Sequence, residues 1–377
     1  MAARKTTPDT TKLQLWIKSA GRCEFKGCNI PVWYNGLTLS ESNFGEVAHI
    51  IAASEDGPRG SNDSEELQID FSNLMLLCAK CHKEIDDFPE KYPVELLRQI
   101  KHDHEYRIEV QTNYPEEINK STILNFNVNI GDRNVPINFE ALRNAMFPKY
   151  PADKIGIKFE RTDFDRFGDE NYWTTTATDI KRKIEKELSL GVSDYPIKHL
   201  SIFAIAPMPL LMYLGKCVGD TIPSDIYQSH RNIVDTSQTW SWIKNDNTKT
   251  DYIVIETKVI ESKNIILKIA LSDTINPDKY SNFADDSYSI YEITIDEPSP
   301  HFIKNKTQLE NFSYEYRKLL NKIQAKHGRN CNIFILPAMP ISFAVECGRA
   351  ILPTKDPNIF ACEYYKDSGF KKVLKIN

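Results

Sequence analysis

Four cysteines in the first 81 residues constrain this chain more than any other feature. They fall in two close pairs, Cys23-x4-Cys28 and Cys78-x2-Cys81. Tetrahedral zinc takes ligands of this number and softness. A small domain with a long polar loop in its middle draws much of its folding free energy from such a centre. A structural zinc (Zn2+) held by Cys23, Cys28, Cys78 and Cys81 is therefore the first expectation. In a reducing compartment, paired spacing points to metal rather than to disulfides. Cys217, Cys331, Cys347 and Cys362 stand singly and read as small buried hydrophobes.

The chain is 377 residues long, room for two or three domains of ~100–200 residues each. Hydrophobic residues make up 41%, which excludes a wholly disordered chain. No apolar run nears the ~18 residues needed to cross a bilayer, so no membrane partner is expected. The segment from Met1 to Thr11 is polar and lacks the apolar stretch of a secretory leader, so a cytoplasmic location is expected. A net charge of −5 excludes a strongly basic nucleic-acid coat, though not a local site. The first 110 residues hold 13 Lys and Arg against 18 Asp and Glu, and the rest hold 34 of each. Bulk charge would not bring such a protein to DNA.

The pattern changes near residue 110. Before it, Thr11 to Ala20 reads as a short amphipathic helix with Leu13, Trp16 and Ile17 on one side, ended by Gly21. The loop from Ser54 to Glu66, SEDGPRGSNDSEE, is expected to be mobile. Pro93 to Val110 has apolar residues at helical spacing. Residues 111–150 read as a linker and connector, with a possible strand at LNFNVNI and a helix at NFEALRNAMF. Beyond 150, strands are expected at IGIKFE, IYQSHRN, YIVIETKVIES and IILKIALS, with a charged helix from Thr178 to Ser189. The run HLSIFAIAP is continuously apolar, as in a parallel strand buried on both faces, and leads into the helical PLLMYLGKCVG. This alternation of strand and helix gives an α/β domain over 151–377.

Between the cysteine pairs lie EVAHII, with His49, and NLMLLC, with Asn73. His82 directly follows Cys81. The segments GRCEFKGC, AHI, NLMLLCAKCH and HKEID, in that order, resemble the HNH endonucleases of the ββα-metal fold. The resemblance covers residues 12–88 and implies phosphodiester hydrolysis. That reaction needs an in-line water, a base for it and a cation at the leaving oxygen. By resemblance His49 is the base, Asn73 orients the motif by binding backbone or holding the imidazole, and His82 helps hold one divalent cation, Mg2+ or similar. If the helix continues through KEID, Asp86 lies one turn after His82 and is the second ligand candidate. Many relatives have an Asp or His before the base, where this chain has Ala48, which cannot ligate. Glu46 shares a strand face with Ala48 and is a weak substitute.

The second half repeats itself. IFAIAPMP (202–209) and IFILPAMP (333–340) agree at four of eight positions, and PSDIYQ and PNIFAC follow them. This reads as a duplicated strand–turn–helix–strand unit. Ligands of doubly wound sheets sit beyond the carboxyl ends of strands. A duplicated fold would bring the two Met-Pro turns together about a pseudo-twofold axis. HLSIFAIAPMPLLMYLG, IYQSHRN, TWSW and NIFILPAMPISFAVECG resemble the HNH–SAVED effectors of bacterial anti-phage signalling by cyclic oligonucleotides (CBASS). The resemblance implies a SAVED domain of two CARF-like, Rossmann-like halves. It implies that a cyclic di- or trinucleotide from a partner synthase binds there, drives homo-oligomerisation and switches on degradation of double-stranded DNA. Candidate ligand contacts are Trp240 and Trp242 by stacking, Arg231 by pairing with phosphate, and Met208, Pro209, Met339 and Pro340 at the strand-end turns. The domains expected are thus 1–110 nuclease, 111–150 connector and 151–377 sensor. Two rivals make other demands. A restriction-type HNH enzyme with a C-terminal DNA-recognition domain would cleave without an activator. A non-catalytic zinc module would be indifferent to loss of His49.

Overall fold

The computed structural model describes residues 5–113, 119–131, 135–161, 170–190, 196–230, 238–243 and 246–377. The chain forms two compact units, Met1–Asn119 and Lys120–Asn377. Among the described residues no helix is long and apolar enough to cross a membrane.

Unit 1 opens with α1 (Asp9–Lys18). A left-handed turn ends it: Gly21 sits at φ +62° and its N–H reaches back 2.9 Å to the Trp16 carbonyl. Leu15 is the buried residue of this helix, while Leu13 and Ile17, expected inside, are exposed. Trp16 packs on the core around Val32 and Leu76, and a face holding Leu15 and Trp16 turns Leu13 and Ile17 outward. A short hairpin, β1 (Tyr34–Asn35) and β2 (Ser40–Glu41), precedes β3 (Gly45–His49). The helical turn α2 (Ser64–Leu67) comes before β4 (Leu74–Cys78), which runs antiparallel to β3 with His49 opposite Leu74. Every residue of β4 is buried. α3 (Ala79–Asp87) follows at once, so β3, β4 and α3 form a ββα corner. α4 (Val94–Thr112) is tied to the end of α1 by His104 Nε2, 3.1 Å from the Ser19 carbonyl.

Unit 2 is one topology used twice. The first pass is β5 (Lys120–Val128), α5 (Phe139–Ala145), β6 (Tyr150–Pro151), β7 (Ile157–Arg161), α6 (Glu170–Leu190), β8 (Leu200–Ile205), α7 (Met208–Val218) and β9 (Ser224–Ile226). Its strands are all parallel, in the order β6-β5-β8-β9, with β7 also on β5. The second pass is β10 (Ile253–Lys258), β11 (Asn264–Ala270), β12 (Ser289–Thr294), α8 (Lys306–His327), β13 (Asn332–Ala338), α9 (Ile341–Arg349), β14 (Asn358–Tyr365) and β15 (Gly369–Lys375). Its order is β10-β12-β11-β13-β14-β15, four parallel strands between antiparallel edges. The path β11, β12, α8, β13, α9, β14 repeats the path β5, β7, α6, β8, α7, β9. Register repeats too: Leu124 lies opposite Ile202 as Ile265 lies opposite Ile333. The two sequence echoes are the β8–α7 and β13–α9 corners, followed by β9 and β14. A continuous apolar core joins the halves through α7 and α9.

Two expectations need correcting. Residues 111–150 are not merely a connector, because β5 is the middle strand of the first sheet and all but its first residue are buried. Of IYQSHRN only Ile226 belongs to a strand among the described residues, and the chain leaves the sheet at Tyr227.

Candidate functional site

The four sulfurs of Cys23, Cys28, Cys78 and Cys81 lie within 4.8 Å of one another. Tight turns aim the first pair: the Cys23 N–H bonds the Ile30 carbonyl at 2.9 Å and the Cys28 N–H bonds the Phe25 carbonyl at 3.0 Å. Cys78 closes β4 and Cys81 sits in the first turn of α3. Burial pushes the Cys23 thiol up to about 12 and the Cys81 thiol higher still. Burial also acts on Cys78, but hydrogen bonds from the Cys81 backbone and the neighbouring thiols bring it below the usual value. Thiolates this close repel, so all four ionise together only around a cation. A buried set of four sulfurs fits zinc.

His49 ends β3, and its Nε2 lies 3.0 Å from the Gln68 carbonyl. A carbonyl only accepts, so in the neutral ring Nε2 carries the proton and the lone pair is on Nδ1. Asn73, 1% exposed, binds backbone. Its Oδ1 accepts from the Ile51 N–H at 2.8 Å, and its Nδ2 donates to the carbonyls of Ile51 at 2.9 Å and Leu67 at 3.1 Å. The Asn73 carbonyl also takes the Ile50 N–H at 2.8 Å. The chain leaving His49 is thereby fastened to the start of β4.

His82 and Asp86 share one face of α3, with Nε2 of the first 3.4 Å from Oδ2 of the second. Nδ1 of His82 lies 2.7 Å from Glu46 Oε2, so the carboxylate two residues before Ala48 reaches the same corner. Carboxylate, imidazole and carboxylate suit Mg2+ or Mn2+. The three lie in a row along His82 rather than around one point. Among the described residues only the cysteine set gathers three or more such ligand atoms within 4.8 Å.

Sequence reasoning missed Arg59, which stands in the loop expected to be mobile. Its side chain is 5% exposed. Nε donates to the Ile50 carbonyl at 2.7 Å, Nη1 to the Ile85 carbonyl at 2.5 Å, and Nη2 to Asp86 Oδ1 at 2.9 Å. The loop is therefore anchored. The glycines of Gly57-Pro58-Arg59-Gly60 were the available signal: a Cβ on Gly60 would meet the Glu55 carbonyl oxygen at 2.1 Å.

In unit 2 the expected ligand residues separate by burial. Pro209, Met339 and Pro340 are buried at the helix starts, and Met208 is half-buried. Trp240 is 2% exposed, edge-on to Phe203 at 5.4 Å. Its indole completes the apolar layer over β8 and is not presented for stacking. Trp242 is half-buried and edge-on to His230 at 5.9 Å. Arg231 lies outside the described residues. Three polar features were missed. Asn125 and Asn127, on the carboxyl half of β5, have buried Oδ1 atoms without a partner, as has Nε2 of His230. Gln228 caps α9, accepting from the Ser342 Oγ at 2.7 Å and the Ser342 N–H at 3.2 Å. Buried unpartnered groups cost ~1–3 kcal/mol each, so these atoms mark where an added ligand gains most.

No curated protein matches this chain. Among solved structures it is similar to the Cap4 SAVED/CARF-domain containing receptor of Acinetobacter baumannii with the cyclic trinucleotide 3'3'3'-cAAA, at 13% identity and a TM-score of 0.45, over 84% of this chain and 67% of that one. The same receptor with 2'3'3'-cAAA gives 15% identity, a TM-score of 0.44 and coverages of 84% and 66%. The Moraxella osloensis Cap4 receptor gives 13%, 0.40, 84% and 66%. The chain thus spans about two thirds of each. The family described as SAVED, the SMODS-associated and fused to various effectors sensor domain, matches residues 176–376. With more than half of its length matched, the chain belongs to the SAVED family of sensor domains.

Proposed function

We propose that this protein is an anti-phage effector in which a cyclic di- or trinucleotide, bound by unit 2, switches on metal-dependent cleavage of double-stranded DNA by unit 1. The observation that carries the nuclease half is the His49 hydrogen bond to the Gln68 carbonyl. It sets the tautomer in which the lone pair of the neutral ring is on Nδ1, the form in which a histidine serves as general base. Asn73 holds the backbone on which that imidazole stands. His82 and Asp86 would hold the divalent cation, and Glu46, on the Nδ1 edge of the ring, would orient the imidazole. The cation would supply charge stabilisation at the phosphate and the leaving oxygen. Membership in a sensor family supports the other half, as do the unpartnered polar atoms of β5 and His230. Ligand-induced homo-oligomerisation is part of the same reading. The organisation it assumes is a nuclease in unit 1, Met1–Asn119, and a sensor in unit 2, Lys120–Asn377.

The test of the chemistry is plasmid cleavage in Mg2+ with a pooled panel of cyclic di- and trinucleotides. Wild type should nick and linearise the plasmid. His49→Ala should lose at least ~100-fold in rate, the scale of a lost general base, while keeping its zinc. Equal cleavage by His49→Ala would sink the catalytic reading.

A further inference from the structure

We infer that Arg59 is a positioning residue for the divalent cation, setting the Asp86 carboxylate so that its second oxygen stands beside His82. The inference rests on the nuclease reading and adds a residue to it. Three observations carry it. The Arg59 side chain is 5% exposed although it lies in a polar loop, so its desolvation must be offset locally. It is offset by carbonyls from two elements: Ile50 just after β3 at 2.7 Å and Ile85 in α3 at 2.5 Å, with His49 at the longer 3.5 Å. These acceptors fix the plane of the guanidinium, which leaves one donor directed at Asp86 Oδ1, 2.9 Å away. The Asp86 side chain is 40% exposed and, on an open helix face, would otherwise exchange rotamers freely. Holding Oδ1 turns Oδ2 toward His82 Nε2, 3.4 Å away.

The same contact permits an opposite effect, because a guanidinium can also stand where a cation would and exclude it. Geometry decides between them. Arg59 bonds Oδ1, and Oδ2 is left to face His82. Outer partners that orient a metal's carboxylate ligand typically contribute 10–100-fold in metal affinity. Lysine cannot replace the fork, since its ammonium cannot hold two carbonyls and a carboxylate in one plane.

The experiment is Mn2+ binding to the full-length, zinc-loaded protein, read from the loss of the free Mn2+ electron paramagnetic resonance signal. Wild type, Arg59→Lys, Asp86→Asn and the double variant are compared, and zinc content and Tm report folding. Arg59→Lys should raise the Mn2+ dissociation constant ~10–100-fold. The double variant should be no weaker than Asp86→Asn alone. In plasmid cleavage, Arg59→Lys should shift half-saturating Mn2+ by the same factor and recover the wild-type rate at saturation. His49→Ala should lower that rate without the shift. Unchanged or tighter Mn2+ binding by Arg59→Lys would overturn the inference while leaving a cleaving wild type intact. A wild type that neither binds Mn2+ nor cleaves would overturn the nuclease reading itself. Should Arg59→Lys lose zinc, the reciprocal test decides: Asp86→Asn must weaken Mn2+ binding, and normal binding by it contradicts the proposal.

Discussion

Gly215 of α7 and Gly348 of α9 are each other's counterpart at a single helix crossing. A Cβ built on Gly215 would lie 1.9 Å from the Val345 carbonyl oxygen, and one built on Gly348 would lie 1.8 Å from the Met212 carbonyl oxygen. The next contacts reciprocate as well, Gly215 against the Arg349 nitrogen and Gly348 against the Lys216 nitrogen. Two copies of one strand–turn–helix corner thus meet backbone to backbone about a pseudo-twofold axis. Only glycine permits that approach.

Gly215→Ala and Gly348→Ala should therefore each force the helices apart. Overpacking of this kind costs ~1–3 kcal/mol, or ~2–10 °C in Tm for a unit of this size. The two variants should lose similar amounts, because the contacts are reciprocal. Thermal unfolding measures this, and an unchanged Tm in either variant contradicts the crossing.

One zinc per chain is expected from metal analysis of the purified protein. Cys23→Ser or Cys81→Ser should abolish it and unfold unit 1, because the remaining thiols are too close to ionise without a cation. Limited proteolysis should then degrade unit 1 and spare unit 2. Full zinc content in Cys81→Ser would rule out the four-sulfur centre.

Acid sensitivity has a named contributor in unit 1. Burial, with Arg107, Arg22 and Lys101 nearby, pushes His104 down to about 4 from 6.5. The unfolded chain takes up this proton as pH falls below 6.5, while the folded chain refuses it until about 4. Stability from His104 is thus whole above pH 6.5 and drains away between there and pH 4, by up to ~1.4 kcal/mol per unit. The Tm advantage of wild type over His104→Gln should shrink steadily from pH 7 to pH 4.5. A constant advantage would contradict the assignment.

What was legible in advance follows from how local each signal is. The cysteine frame, the His82–Asp86 spacing and the β8 and β13 echo are short-range patterns, and each falls on the element it implied. The strand at β5 was legible in the alternation of LNFNVNI, but its place inside the sheet was not, because every second residue of its carboxyl half is Asn, which looks like a solvated face. In the fold those Asn side chains of β5 are covered. Arg59 was missed because its acceptors come from Ile50 and Ile85, distant in sequence and brought together only by the ββα corner. Trp240 was offered to a ligand, but its apolar neighbours Phe203 and Tyr227 claim it. α8 went unread despite a full signal, with Leu309, Phe312, Tyr316 and Ile323 on one stripe and a capping box at Asn305 and Gln308.

Coupling between sensing and cleavage is the central claim, and one measurement tests it most directly. Supercoiled plasmid is incubated with wild-type protein and Mg2+, alone and with each cyclic di- or trinucleotide in turn, and its loss is timed. The account predicts negligible loss without a messenger and rapid degradation with one member of the panel. Equal rates with and without every messenger would contradict it and favour a restriction-type enzyme.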